Sequence, residues 1–176
     1  MAEVVSNLAS VPDSDVRAIA VYMADISGAP APDRKQSADA VAQSASADAA
    51  QANAAGAAIY AATCAACHEG GRALPYGGVN LALSTAIASP DPRNLLNIVL
   101  AGVGAVEGER SPIMPGFAAS IDDAQMVALT TYLRARFGKR PAWNNLEKAV
   151  HDARAAQATS LAARDTPAES RQRGKP

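Results

Sequence analysis

Only two cysteines occur in this chain, two residues apart and with a histidine directly behind them: Cys64-Ala-Ala-Cys67-His68. No other feature narrows the possible folds as much. Two thiols at this spacing can add to the two vinyl groups of one porphyrin while the adjoining imidazole turns back onto the iron. The three residues must lie this close because the porphyrin edge is rigid. Gly70-Gly71 follow at once, and the conformational freedom of glycine lets a chain wrap around such a ring. Cys64, Cys67 and His68 are therefore the expected attachment points of one covalent c-type haem, with His68 on the iron.

Three other chemistries use the same residue types. A redox-active dithiol of the thioredoxin kind needs a strand before its Cys-x-x-Cys and a helix after it, and no segment here alternates as a strand does. A zinc site needs four ligands, but beside the two thiols only His68 and the distant His151 are available, at the wrong spacing for a finger. A disulfide across two residues would be strained and would leave the histidine without a purpose.

The fold class expected is all-α, a small helical domain wrapped around one haem. Much of the 49% apolar content is alanine and only 4% of residues are aromatic, so a domain this small needs core volume from elsewhere, which a haem supplies. Sixteen basic residues against 17 acidic ones leave a net charge of −1, too weak a field for nucleic acid or anionic lipid. Neither partner is expected. No apolar run is long enough to cross a bilayer, and the opening residues lack the basic start and apolar stretch of an export signal. Haem of the c type is attached outside the cytoplasm in bacteria, so the periplasm or the periplasmic face of the inner membrane is the expected location. The missing signal is then read as lost with the true N-terminus, making the chain a C-terminal fragment or a truncated gene product.

Sliding the sequence by 110 positions lays Val11–Met23 over Ile121–Leu133, matching Asp13 to Asp123, Ala18 to Ala128, Ile19 to Leu129 and Tyr22 to Tyr132. A methionine-containing loop precedes each copy, with Met1 before the first and Met114 before the second. Residues 1–28 are thus expected to be the end of an upstream module. Residues 29–51, rich in Ala, Ser, Asp, Pro and Gln, read as a linker whose second half is at most marginally helical. The complete module spans 52–143. Its first helix holds Gly56 and Tyr60 on one face just before the cysteines. A short buried helix follows Asp91-Pro92 and stops at Gly102. The last main helix is capped by Asp122 and Gln125, stapled by Ile121 and Met126, and ends at Gly138. Residues 144–176 read as a short helix, Asn144 to about Ala156, and a disordered tail.

A second axial ligand is needed for six-coordinate iron, and Met1, Met23, Met114, Met126 and His151 are the candidates. Met114 sits in Ser111-Pro-Ile-Met-Pro-Gly116, a loop stiffened by two prolines that can present a thioether without belonging to a helix core. Met126 has a structural role as a staple, Met23 a core-facing place in the upstream segment, and His151 a polar helix. Met114 is favoured, which makes His68 and Met114 the metal ligands. A thioether opposite a histidine raises the reduction potential, and filling both axial positions leaves no open site on the iron. The chain is then an electron carrier and not an enzyme.

A helix ending in Cys-x-x-Cys-His, a Met-Pro loop and a closing helix with an aromatic resemble the class I cytochromes c over about Ala52 to Trp143. The resemblance implies that the first and last helices cross at a small residue and are closed by aromatics, roles open to Gly56, Tyr60, Leu129 and Tyr132. It also implies that the proximal histidine donates to a proline carbonyl, for which Pro75 is the candidate. The finer pattern is Leu74-Pro-Tyr-Gly-Gly-Val-Asn80-Leu, Asp91-Pro-Arg-Asn-Leu-Leu, Met114-Pro-Gly-Phe, Asp123-Ala-Gln, Tyr132-Leu-Arg and Pro141-Ala-Trp143. It is similar to the last module of three-haem cytochrome subunits that serve bacterial dehydrogenases for alcohols, aldehydes, gluconate or nicotinate-type heterocycles. Asn80 joins the cofactor-binding candidates on that likeness. What departs from it is the absence of two further Cys-x-x-Cys-His sites. The expected function is electron transfer from a dehydrogenase subunit or a neighbouring haem toward an oxidase or a quinone-linked acceptor. A free-standing monohaem carrier is the alternative, and a haem-based sensor would need an axial ligand that leaves easily.

Overall fold

The computed structural model describes residue 4 and residues 7–28, 34–46, 48–73, 75–105 and 113–165. The chain divides into two compact units, Met1–Ala40 and Val41–Pro176.

The first unit holds α1 (Asp13–Ser27), which opens behind Pro12 with Asp13 and Asp15 in its first turn and stops at Gly28, φ +71°. Acidic residues at the N-terminus suit the helix dipole, and positive φ at the stop suits glycine. None of its residues is buried. Helix α2 (Arg34–Ala42) follows. It lies inside the stretch expected to be a linker, because its alanines favour helix even without large side chains to bury. The rest of that stretch is anchored as well. The Ser46 N–H donates to the Arg136 carbonyl at 2.9 Å, Asn80 Nδ2 donates to the Ala42 carbonyl at 3.2 Å, and Ala49 is buried. The linker reading is thus too long at its C-terminal end.

In the second unit come α3 (Ala49–Ala52), α4 (Ala54–Thr63), α5 (Ala65–His68), a 3-10 turn (Leu81–Leu83), α6 (Thr85–Ala88), α7 (Arg93–Ala101), α8 (Asp123–Gly138) and α9 (Leu146–Asp165). Among the described residues there is no strand, only one isolated antiparallel bridge between Val103 and Met114. The unit is all-α.

Helices α4 and α8 cross at Gly56, where an added Cβ would collide with the Ala128 carbonyl and lie 2.7 Å from Tyr132 Cβ. Asn53 caps α4 by accepting from the Gly56 N–H at 2.9 Å, and the same side chain donates to the Ala128 carbonyl at 3.0 Å. Tyr60 then packs between Tyr132 and Phe137 at centroid distances of 5.5 and 5.6 Å, tilted pairs worth about 1 kcal/mol each beyond their buried area. Helix α8 begins with a complete capping box between Asp122 and Gln125, and Ile121 and Met126 are both buried at its start. Helix α7 turns Leu95, Leu96, Val99 and Leu100 inward and stops at Gly102, φ +74°. Its first residue is Arg93, with the Asp91 carboxylate accepting from the Arg93 N–H at 2.9 Å. The capping expected from Asp91 is present, one position earlier than a standard cap.

Helix α9 is longer than the sequence reading, and it belongs to the core. Leu146, Val150 and Ala153 are buried, a spacing that aligns them on one face. Arg134 fastens the neighbouring segments. Its guanidinium donates to the Ile87, Ser89 and Pro141 carbonyls and lies 3.9 Å over the Trp143 ring, whose Nε1 donates to Ser89 as well. The disordered tail expected after this helix falls at 166–176, outside the described residues.

Candidate functional site

Helix α4 delivers Cys64 as its C-terminal cap, and α5 carries Cys67 and His68 one turn further on. Both thiols are free, Cys64 buried and Cys67 partly so. Burial pushes the Cys64 thiol above its ordinary value, against a smaller opposing pull from the Thr63 hydroxyl. Cys64, Cys67 and His68 together line a cavity of about 270 Å³. Leu95, Ile98 and Val99 of α7 form one apolar wall and Phe117 and Leu133 another. No group of three or more His, Cys, Asp or Glu that could hold a metal ion gathers among the described residues.

His68 Nδ1 lies 2.8 Å from the Val79 carbonyl. A carbonyl there requires the proton on Nδ1 and leaves Nε2 with its lone pair for a metal. The loop reaches His68 so closely because it lacks a side chain at one point, where a Cβ on Gly78 would stand 2.6 Å from Nδ1. The Gly78 N–H in turn donates to the Cys67 carbonyl at 2.9 Å.

Val79 takes the place expected of Pro75. The Pro75 carbonyl instead accepts from the Ile113 N–H at 3.0 Å, because the bond between Gly78 and Cys67 folds the loop so that the residue after Gly78 faces the ring. Asn80 is likewise occupied away from the cavity. Its side chain accepts from the Ala82 N–H at 2.9 Å, capping the 3-10 turn, and donates to the Ala42 carbonyl.

Met114 lines the same cavity as His68. Its backbone is fixed on both sides, with its N–H on the Val103 carbonyl at 2.9 Å and its carbonyl accepting from Val103 at 2.8 Å. This clasp closes tightly because a Cβ on Gly102 would overlap the Met114 carbonyl. Ser111 and Pro112, half of the stiffening read from sequence, lie outside the described residues. The other candidates stand elsewhere. Met126 is fully buried in core packing, Met23 is exposed in the first unit, and His151 is exposed on α9 with Nδ1 3.9 Å from Asp123 Oδ2. Met1 lies outside the described residues.

Sequence reasoning missed Val79, Gly78 and the α7 wall. Gly77-Gly78 is the signal that could have drawn attention to the first two, and the apolar spacing of α7 the signal for the third. The donor set fits a c-type haem: two free thiols on consecutive turns, an imidazole with one nitrogen tied back, and a thioether, all carried by residues that line one apolar cavity.

Residues 51–133 match the protein-family model described as cytochrome c oxidase, cbb3-type, subunit III. Over 158 residues the chain is 35% identical to a nicotinate dehydrogenase subunit of Pseudomonas putida, an alignment that takes in 88% of this chain and 13% of that protein. The chain therefore spans only a small part of the length of this relative. On these grounds residues 51–133 are a class I c-type cytochrome domain, one that transfers electrons through covalent haem c rather than converting a substrate.

Proposed function

We propose that this domain holds one haem, with His68 and Met114 as its axial ligands, and relays electrons away from a dehydrogenase subunit. The observation that carries the reading is that His68 and Met114 line one apolar cavity together with both thiols. Cys64 and Cys67 would form the thioether links, and the Val79 carbonyl would hold the imidazole in orientation through Nδ1. The Val103 clasp would keep the Met114 sulphur aimed into the cavity, while the walls from α7 and α8 exclude water. When bound, the haem supplies a one-electron couple whose potential a thioether ligand raises.

The likeness to a dehydrogenase subunit supports a dehydrogenase, or a neighbouring haem, as donor and an oxidase or quinone-linked chain as acceptor. Covalent haem c supports the periplasm or the periplasmic face of the inner membrane as the place of work. Among the described residues no helix is long and apolar enough to cross a membrane. Helix α1 would be the closing helix of a second such module, a reading supported by its 110-residue register with α8 and by its exposed apolar side chains.

The test is Met114→Ala in protein matured with c-type assembly machinery. The variant should keep its haem through acid-acetone extraction and denaturing electrophoresis, lose the near-infrared sulphur-to-iron band, and shift to a lower potential. Retention of that band would show that the sulphur comes from elsewhere.

A further inference from the structure

The family match ends at residue 133, yet the loop that carries Met114 is gripped by a side chain from well beyond it. After Met114 the chain runs along the end of α7, and its inner amides are spoken for: Phe117 donates to the Val99 carbonyl at 3.0 Å and Ala118 to the Leu100 carbonyl at 3.3 Å. The opposite edge is held from α9. There the Arg154 guanidinium donates through Nη1 to the Ala118 carbonyl at 2.5 Å and through Nη2 to the Ile121 carbonyl at 2.7 Å. Its Nε donates to Asp123 Oδ1 at 2.5 Å. Ala118 is thus fixed on both sides, by α7 through its N–H and by Arg154 through its carbonyl.

A planar fork with several donors is suited to this task, since it can span two carbonyls and a carboxylate in one plane where an ammonium acts as a single point. The arm is short and well supported. Arg154 stands four residues after Val150 and one after Ala153, both buried where α9 packs on the domain, and the Arg154 side chain is itself largely covered. Held this way, the segment from Met114 to Ile121 has little freedom to move outward from α7.

We infer that Arg154 is a positioning residue for Met114: helix α9, outside the family match, sets how firmly the thioether is held in the cavity. The inference rests on the reading of Met114 as an axial ligand. A ligand whose loop is loosened yields more readily to a competing donor, so the sensitive measurement is displacement of the sulphur by added imidazole.

In full-length ferric holoprotein, the imidazole concentration that half-removes the sulphur-to-iron band should fall about tenfold in Arg154→Ala, the scale expected when a charge-assisted hydrogen bond is lost. Should that variant not fold, Arg154→Gln keeps most of the apolar stem and carries the same expectation. Ile87→Val trims a buried side chain on α6, away from α9, the clamp and the cavity. It should lower Tm yet leave the imidazole concentration within about twofold of wild type. An unchanged value in the Arg154 variants, or an equal shift in Ile87→Val, overturns the inference. Persistence of the band in Met114→Ala overturns the axial reading itself, so the two failures are told apart.

Discussion

Helices α1 and α8 carry nearly the same pattern 110 residues apart, and they end in opposite surroundings. In α8, Leu129 is 0% and Tyr132 3% exposed; their counterparts in α1, Ile19 and Tyr22, are 48% and 64% exposed. Ala128 of α8 offers its carbonyl to Asn53 and lies against Gly56, while α1 has the same alanine at Ala18 and buries none of its residues. An apolar stripe therefore specifies which face of a helix is available, and the partner decides whether the face is used.

The largest effect expected from this contrast is in stability. Leu129→Ala should cost ~3 kcal/mol in urea unfolding, from lost transfer energy and the cavity left behind, whereas Ile19→Ala should cost under ~0.5 kcal/mol. Comparable costs would mean that α1 has a buried partner in solution.

A second difference between the two helices is the partner ring at Tyr60. Burial holds its hydroxyl well above the ordinary tyrosine value, helped by its hydrogen bond to the Glu69 carboxylate at 2.9 Å and opposed in part by Arg136. The folded state then keeps this proton at a pH where the unfolded chain releases it. The stabilisation is complete below the unfolded value near pH ~10 and is lost as pH rises beyond it, by at most ~1.4 kcal/mol per pH unit. Between pH 9 and 11, as the probe range, Tyr60→Phe should flatten that decline in urea midpoints; an undiminished slope would place its origin in another group.

The smallest effect should come from removing α1. Deleting residues 1–40 should leave the haem spectrum and potential unaltered and the second unit's unfolding free energy within ~0.5 kcal/mol. Extending the deletion to residue 50 should cost more, since it removes Ala42, Ser46 and Ala49 with their anchors. If the shorter deletion were as damaging as the longer one, the first unit would be integral to the domain.

What could be read from the residues in advance follows the range of the interaction involved. The capping box at Asp122 and Gln125, the stop at Gly102 and the cysteine spacing are local, and each has its own side-chain signature. The partner of His68 is Val79 and not the Pro75 that the resemblance implies, because a backbone carbonyl has no signature: both residues offer the same acceptor, and the path of the loop through Gly78 selects between them. The grip of Arg154 was invisible for the same reason, two of its three acceptors being carbonyls more than thirty residues away. Asn80 is a cofactor-binding candidate by family likeness alone, and its side chain instead caps a turn. Helix α9 reads as polar because, among the described residues, a narrow stripe led by Leu146, Val150 and Ala153 faces the core.

Asn53 and Ala128, joined at the α4–α8 crossing, are 75 residues apart. Cys64, Cys67, His68 and Met114 all fall between them, so a single closure encloses every group that would hold the cofactor. Loops of this length close slowly compared with local helix formation and cost substantial chain entropy. The lifetime of the assembled site is consequently tied to the opening rate of one helix crossing: a mutation that hastens that opening exposes thiols, imidazole and thioether together, however well each is held by its own neighbours.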